Sequence, residues 1–318
     1  MPAALPLPDP ALDPNKFQNP SHTAKGDPRA HVALRALDTL WFNTGTLCNL
    51  TCEQCYIESS PRNDRLAYIT TDEVRGYLDE IAALELPTSE IGFTGGEPFM
   101  NPDLLDSVEM CLEQGFRVLI LTNAMRPMMK CAERLQPMAA RWGDRLTLRV
   151  SLDHFGSALH EHERGPRSWQ PTVDGLTWLA DNGFSIAIAG RLRWGESEAQ
   201  MRQGYRRLFG ELNLNIDADD PAALMLFPEM DETADVPEIS IYCWNHLGID
   251  PHDMMCAHSR MVVKAKGHTP QVMACTLLAY DPGFAMGASL AEASGEVSLN
   301  HPHCARFCVL GGGSCSAV

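Results

Sequence analysis

Three cysteines stand within eight residues of one another, at Cys48, Cys52 and Cys55. A four-iron, four-sulfur cluster normally takes four thiolates, so three thiolates can hold one and leave an iron without a protein ligand. A metal with an open position is where chemistry happens. Ordinary buried thiols and a partial zinc site are the simpler explanations, but a zinc site needs a fourth protein ligand at short spacing. The spacing favours a redox-active iron–sulfur site.

A second group of residues follows a short apolar run at 90–94. Gly95 and Gly96 have no Cβ atom, so the backbone there can approach a ligand closely, and Glu97 adds an anionic acceptor. A pair of glycines alone indicates only a turn. Because the pair comes soon after the three-cysteine loop, it predicts a ligand pocket beside the cysteines.

Polar residues also follow the next predicted strands. They are Asn123, then Ser151 and Asp153, and further along Arg164 beside a glycine. The planar fork of an arginine pairs well with a carboxylate. Asn123 and Asp153 have the simpler alternative of capping a turn or helix.

The run from Cys48 to Tyr56, followed by Gly95-Gly96-Glu97, resembles the radical S-adenosylmethionine (radical SAM) enzymes, whose signature is C-x3-C-x2-C beside an aromatic residue. The resemblance implies that the amino and carboxylate groups of S-adenosylmethionine chelate the open iron. Cluster and cofactor then supply a 5′-deoxyadenosyl radical, which abstracts hydrogen from a substrate. Ala124 stands where the family often has glycine after Thr-Asn. The cofactor-binding residues that the resemblance implies are Tyr56, Gly95, Gly96, Glu97, Asn123, Ser151, Asp153 and Arg164.

Alternating apolar runs and amphipathic segments predict six strand–helix units after a Pro-rich N-terminal arm at 1–38. The predicted strands are 39–42, 90–94, 117–121, 146–152, 185–189 and 224–227. The predicted helices are 70–84, opened by a Thr70/Glu73 capping box, 101–115, 128–140, 172–182 and 197–209. The fold class is therefore α/β: a partial (β/α)6 TIM-like barrel at 39–230, with sites at the carboxyl ends of its strands, and a small Cys-rich domain at 231–318. The arm either wraps the core or stays mobile.

The last part of the chain carries five further cysteines: Cys256, Cys275, Cys304, Cys308 and Cys315. The first two flank a predicted hairpin at 261–267 with Gly267 at its turn. The layout resembles the auxiliary-cluster domains called twitch and SPASM, although SPASM expects seven cysteines and two clusters. One auxiliary 4Fe-4S cluster is predicted, on Cys256, Cys275, Cys308 and Cys315 with Cys304 in reserve. A structural zinc site on the same thiols is the alternative.

Other polar residues carry weaker signals. His154, His160 and His162 are predicted as loop residues after the fourth strand, one of which could face the substrate. Gly190 and Arg191 follow the fifth predicted strand, as cofactor contacts or as surface residues. Cys111 and Cys131 are expected in the core, and Cys243 is left undecided.

Composition excludes some classes of function. The formal net charge of −16 disfavours nucleic-acid binding, and no apolar run is long enough to span a membrane. Eleven cysteines without an export signal indicate a cytoplasmic metal or redox protein. We expect a radical SAM enzyme acting on a small metabolite and receiving electrons from a flavodoxin or ferredoxin. The arm is too short and Pro-rich for a leader-binding module, so peptide modification is the alternative, and a non-catalytic iron–sulfur carrier comes third.

Overall fold

A computed structural model describes residues 10–313 of the chain. Its strands are β1 (His31–Val32), β2 (Thr39–Asn43), β3 (Glu90–Thr94), β4 (Arg117–Thr122), β5 (Leu146–Ser151), β6 (Ser185–Leu192), β7 (Leu224–Pro228), β8 (Ser259–Val263), β9 (Gln271–Met273) and β10 (Val297–Ser298). Its helices are α1 (Thr71–Ala83), α2 (Leu104–Glu113), α3 (Arg126–Met129), α4 (Ala132–Trp142), α5 (Ser157–Arg164), α6 (Trp169–Asp181), α7 (Glu198–Glu211) and α8 (Cys243–Leu247).

The six predicted strands are β2 to β7, and they pair in parallel in sequence order. This confirms the partial barrel of six strand–helix units. Successive side chains of a strand point to opposite faces, and β2 shows why both faces are buried. Phe42 stacks on Phe93 in the core that packs against the helices, whereas Trp41 joins the core shared with the C-terminal region. Gly92 makes room for the Trp41 ring, since a Cβ there would lie 2.3 Å from it.

The predicted hairpin is confirmed, but it also extends the barrel sheet. Strands β8 and β9 pair antiparallel, and Gly267 lies between them with φ of +80°. Strand β8 then pairs in parallel with β2, which gives one eight-stranded sheet in the order β7-β6-β5-β4-β3-β2-β8-β9. The segment that carries the late cysteines is therefore attached to the sheet at β2, the strand that leads into the early ones.

The described part of the arm, residues 10–38, wraps the C-terminal region. Strand β1 pairs antiparallel with β10, and the Leu12 N–H donates to the Thr233 carbonyl over 2.7 Å. Arg29 is buried, and it pairs with Glu238 at 2.5 Å and donates to the Leu299 carbonyl. Of the two predicted states of the arm, these residues adopt the packed one.

Three local predictions were wrong. The segment predicted as one helix at 128–140 is divided into α3 and α4, which are separated by Lys130 and Cys131. His160 and His162, which were predicted in a loop, lie on helix α5. Strand β6 continues to Leu192, so Gly190 and Arg191 lie inside it. In the last case, parallel pairing with β7 extends the strand through Arg191, a residue that is polar in sequence.

Candidate active site

A cavity of about 150 Å³ lies at the carboxyl ends of the parallel strands. Ten of the residues predicted for the cluster and its cofactor line it: Cys48, Cys52, Cys55, Tyr56, Gly95, Gly96, Asn123, Ser151, Asp153 and Arg164. Glu97 is outside the lining. Parallel strands end on the same side of a sheet, so residues far apart in sequence meet there.

The three early cysteines lie on the loop between β2 and α1. Cys48 and Cys52 interact electrostatically, as do Cys52 and Cys55, and backbone N–H groups point at two of the sulfurs. Leu50 donates to the Cys48 sulfur over 3.4 Å and Ser59 to the Cys55 sulfur over 3.3 Å. Burial raises the pKa of Cys48 to about 12 and that of Cys52 to about 11. Without a metal these thiols stay protonated, which suits ligands better than nucleophiles.

The two glycines after β3 hold the cysteine loop against the sheet. A Cβ on Gly96 would lie 2.2 Å from the Leu47 carbonyl oxygen, and one on Gly95 would lie 2.6 Å from the Gly45 carbonyl oxygen. The Gly96 N–H donates to the Gly45 carbonyl over 2.8 Å. Gly95 has φ of +140°, a conformation that only glycine adopts readily. The sequence predicts that Gly95 and Gly96 let the backbone approach a ligand closely. In the structure they also let it approach the segment that precedes Cys48.

Glu97 is buried, and its carboxylate already has protein partners. It accepts hydrogen bonds from the Thr122 hydroxyl at 2.8 Å, the Asn123 N–H at 2.9 Å and the Phe99 N–H at 3.3 Å. These bonds tie the end of β3 to the end of β4. Burial raises its pKa from 4.5 to about 7 despite the hydrogen bonds, which act in the opposite direction. Contact with the amino group of S-adenosylmethionine stays a prediction.

Asn123 connects the end of β4 to the cysteine loop. Its side-chain amide donates to the Asn49 side-chain oxygen over 2.9 Å, next to Cys48. Ala124, where the family often has glycine, is buried with φ of +57°. A left-handed alanine is uncommon. The backbone turn is therefore kept although the glycine is absent.

Asp153 and Arg164 form a buried ion pair. The Arg164 Nε atom lies 2.6 Å from one Asp153 oxygen, and its Nη2 atom donates to the other over 3.2 Å. The Nη1 atom lies 4.0 Å from the Cys52 sulfur. The fork predicted to bind a cofactor carboxylate is occupied by Asp153 in this structure, and Arg164 places a cation beside a cluster thiol.

Sequence reasoning missed Glu163, which fixes the backbone between Cys52 and Cys55. The Gln54 N–H donates to the Glu163 carboxylate over 2.9 Å, and the Glu53 N–H donates to its carbonyl over 2.8 Å. Arg191, inside β6, donates to the same carboxylate over 3.0 Å and to the Gln54 carbonyl over 3.3 Å. Arg193 is a further partner of Glu163. The available signal was the charged Glu163 directly before Arg164, but only the fold shows the partners of Glu163.

The three histidines lie away from the cavity lining. His154 is buried, and its Nε2 atom lies 3.4 Å from a Glu196 oxygen. His160 is fully buried beside the Trp169 ring, and burial lowers its pKa to about 4. His162 lies on the exposed side of α5, 3.1 Å from Glu53. The possible role of one of them toward the substrate stays a prediction.

A second group of thiols lies on the C-terminal side. Cys304 interacts electrostatically with Cys275 and Cys256, and burial raises its pKa well above the ordinary value. Cys304 and Cys308 lie on a π-helix, Cys304–Val309. Such helices are rare in proteins, and those that occur are often at functional sites. Cys304, kept in reserve by the sequence reading, is thus placed with Cys256 and Cys275. Cys315 lies outside the described residues.

Apolar side chains close in sequence to the second thiol group line part of the cavity. Phe227 and Phe307 have ring centroids 5.5 Å apart, and Leu277 also lines the cavity. Phe307 lies between Cys304 and Cys308, and Leu277 is two residues after Cys275. The segments that carry the second thiol group therefore close the cavity that the first group lines.

The remaining cysteines have structural settings. Cys111 is fully buried on α2, as expected of a core thiol, and Cys131 is half-buried against the same core. Cys243 begins α8, where its sulfur accepts the Ser240 N–H over 3.4 Å. In residues 10–313, no three His, Cys, Asp or Glu side chains are arranged to hold a single metal ion. Within the same residues, the helices are too short or too polar to cross a membrane.

Comparisons with known proteins agree with this geometry. The family model described as the Radical SAM superfamily matches residues 42–198. An AdoMet-dependent heme synthase of Methanosarcina barkeri is 28% identical over 142 residues, which are 44% of this chain and 38% of that protein. The antilisterial bacteriocin subtilosin biosynthesis protein AlbA of Bacillus subtilis is 28% identical over 143 residues, which are 45% of this chain and 30% of that protein. The matches thus span 30 to 38% of the length of these relatives.

Among solved structures, the crystal structure of Streptococcus suis SuiB bound to S-adenosylmethionine is similar with a TM-score of 0.57. It is 14% identical in sequence, and the likeness covers 80% of this chain and 64% of SuiB. At this identity the likeness shows the fold.

The donor set fits the cofactors of this fold. Three thiols line one cavity, two of them receive backbone N–H groups, and a guanidinium lies beside the third. Three thiolates suit a 4Fe-4S cluster with one open iron, and the Gly95-Gly96 backbone lines the same cavity. From its cysteine motif and the matching family model, residues 42–198 of the chain form a radical SAM domain.

Proposed function

We propose that this protein is a radical SAM enzyme whose cluster is held by Cys48, Cys52 and Cys55. When bound, the 4Fe-4S cluster and S-adenosylmethionine supply a 5′-deoxyadenosyl radical that abstracts hydrogen from a substrate. The observation that carries the proposal is the convergence of the three thiols and the Gly95-Gly96 backbone on one cavity.

The protein itself positions the cysteine loop and shields the cavity from water. Gly95 and Gly96 press the cysteine loop against β3, and Glu163 holds the backbone between Cys52 and Cys55. Phe227 and Phe307 give the cavity an apolar wall, which limits the access of water to a reactive radical.

An auxiliary 4Fe-4S cluster on Cys256, Cys275 and Cys304 is the second part of the proposal. Cys308, on the same π-helix as Cys304, is the first candidate for a fourth ligand, and Cys315 is the other. Four protein ligands suit electron transfer, whereas three would leave an iron that binds substrate. A structural zinc site on these thiols is the competing assignment.

A small metabolite is the proposed substrate class. The cavity is compact, and the described arm residues pack on the C-terminal region through β1 and β10 and form no separate leader-binding module. A peptide is the second candidate, because AlbA is named for bacteriocin biosynthesis. A flavodoxin or ferredoxin as reductant and a cytoplasmic location, where thiols stay reduced, complete the proposal.

The test is cleavage of S-adenosylmethionine by anaerobically reconstituted full-length protein with a strong reductant. Wild type should release 5′-deoxyadenosine, and Cys52→Ala should not. Cys131→Ala, which removes a half-buried thiol outside the site, should release it as wild type does. Undiminished release by Cys52→Ala would defeat the assignment.

The auxiliary site is tested by metal analysis of a Cys48/Cys52/Cys55→Ala triple variant. About four irons and four sulfides should remain per chain if the second group carries a 4Fe-4S cluster. Stoichiometric zinc without iron would show a structural site.

A further inference from the structure

Arg260 is a buried arginine whose guanidinium is surrounded by backbone carbonyls. It is 1% exposed, on β8. Its Nη1 atom donates to the Cys256 carbonyl over 2.6 Å and to the Ser259 carbonyl over 2.8 Å. Nε and Nη2 donate to the carbonyls of Ala293 and Gly295 over 2.9 and 3.1 Å. The hydrogen bonds of the group are satisfied, but carbonyls do not neutralise its charge.

Within residues 10–313, no carboxylate comes within ion-pair distance of Arg260; its recorded partners are the carbonyls above. Arg29, the other buried arginine near this thiol group, is paired with Glu238 at 2.5 Å. Burying an unpaired cation costs several kcal/mol, and proteins normally offset that cost with an anion. Among the described residues, the charge on Arg260 therefore has no carboxylate to offset it.

The thiols are the acidic groups that surround Arg260. Cys256 is four residues before it and accepts its hydrogen bond through the backbone carbonyl. Met261 pairs with Met273 across the hairpin, so the chain after β9 brings Cys275 near Ser259, the neighbour of Arg260. Cys256 and Cys275 are the groups whose charges act on the guanidinium, and both interact with Cys304. As neutral thiols they leave the arginine uncompensated, whereas metal-bound thiolates would compensate it.

We propose that Arg260 is the counter-charge of an iron–sulfur cluster held by Cys256, Cys275 and Cys304, and that it raises the reduction potential of that cluster. The inference rests on the auxiliary cluster of the proposed function. Reduction adds a negative charge, and a fixed cation nearby stabilises the reduced form more than the oxidised form. The potential of such clusters depends on surrounding charge and hydrogen bonds. Arg260 thus acts as a positioning and tuning residue; it need not touch substrate.

The competing role for Arg260 is a brace that joins Cys256 to the 293–295 turn through carbonyl hydrogen bonds. The two roles differ in what a lysine can replace. Arg260→Lys keeps the charge but loses the planar fork and most of the four bonds. Arg260→Met loses both charge and bonds. If Arg260 is only a structural brace, the two variants should behave alike. If it is a counter-charge, lysine should restore the iron content and the reduction potential of the parent.

The experiment uses full-length protein with Cys48, Cys52 and Cys55 replaced by Ala, so that the second cluster gives the only iron signal. Iron content and reduction potential are measured for this protein with Arg260, Arg260→Lys and Arg260→Met. The matched control is Lys264→Met, which removes the same charge just after β8, from a side chain paired with Glu73 at 2.7 Å.

We expect the potential to shift to more negative values in Arg260→Met, to stay near the parent in Arg260→Lys and to change little in Lys264→Met. Loss of iron in Arg260→Met with retention in Arg260→Lys would also support the proposal. Equal potentials in all three proteins, or equal loss of iron in Met and Lys variants, would overturn it. If the parent protein retains no iron, the auxiliary cluster itself is wrong, and the role of Arg260 is wrong with it.

Discussion

Cys48, Cys52 and Cys55 lie on one loop between β2 and α1, whereas Cys256, Cys275 and Cys304 come from three segments that only the folded chain brings together. The charges around the two groups also differ. At the first site Arg164 is neutralised by Asp153, and Arg191 by Glu163. At the second site Arg260 has no carboxylate partner within the described residues.

This difference suggests a division of tasks. A balanced first site can receive the additional charges of a cofactor without a large change in its own field, because its fixed cations already have partners. An unbalanced second site would favour the permanently bound anionic cluster proposed above. Under that proposal, the first site suits exchange of a cofactor and the second suits electron transfer.

The largest effect on iron content is expected from Gly96→Ala, which disrupts the packing around the first site and leaves the second site unchanged. The new Cβ would lie 2.2 Å from the Leu47 carbonyl oxygen, so the cysteine loop must move. Overpacking typically costs about 1–3 kcal/mol and occasionally more. Iron retained by the reconstituted protein should fall toward that of the second cluster alone. Gly76→Ala, an exposed glycine of α1 with open space around it, is the matched control and should keep full iron.

Cys304→Ala should remove the second cluster and leave the first. Since two 4Fe-4S clusters contain about eight irons, about four should remain per chain. Release of 5′-deoxyadenosine should continue, because the first site has its own ligands. Iron content unchanged from wild type would remove Cys304 from the ligand set, and loss of all iron would show that the two sites do not form independently.

Glu163→Ala should loosen the first site without removing a ligand. The Gln54 N–H loses its acceptor and Arg191 loses its partner. Loss of such supporting groups typically weakens metal binding by 10-fold or more, so iron release to a chelator should be roughly tenfold faster. Glu53→Ala, at the exposed end of the same network, is the control and should release iron at the wild-type rate. Equal rates in both variants would show that Glu163 does not stabilise the cluster of the first site.

The smallest effect on iron content is expected from Glu97, which instead changes how stability depends on pH. Its pKa is about 7 in the folded protein against 4.5 ordinarily, so its favourable contribution to stability is complete below pH 4.5 and is lost as pH rises through 7. The loss amounts to about 3 kcal/mol in free energy of unfolding. Thermal unfolding of the iron-free protein at pH 5 to 8 should therefore show a steeper decline for wild type than for Glu97→Gln. Parallel curves would mean that Glu97 is ionised throughout. Iron content of the reconstituted variant should equal that of wild type.

Sequence was sufficient to predict which residues line the first cavity, because that information is local. The cysteine spacing puts three candidate ligands on one loop, and the alternation of apolar and amphipathic segments predicts the parallel strands β2 to β7 that place Gly95, Asn123 and Asp153 at one edge. Helix α5 escaped notice because its polar, histidine-rich sequence has no apolar stripe of its own. Its burial comes from packing against β6 and the cysteine loop.

The sequence by itself determined the barrel strands, the cysteine loop and the residues that follow each strand, since a short-range pattern governs each of them. Only the tertiary structure decided that Glu97 joins β3 to β4, that Asp153 forms an ion pair with Arg164, and that Cys304 lies with Cys256 and Cys275. It also decided that Arg260 is buried without a carboxylate among the described residues. The partners of a buried charge are set by which distant segments pack around it, and no spacing within one segment contains that information.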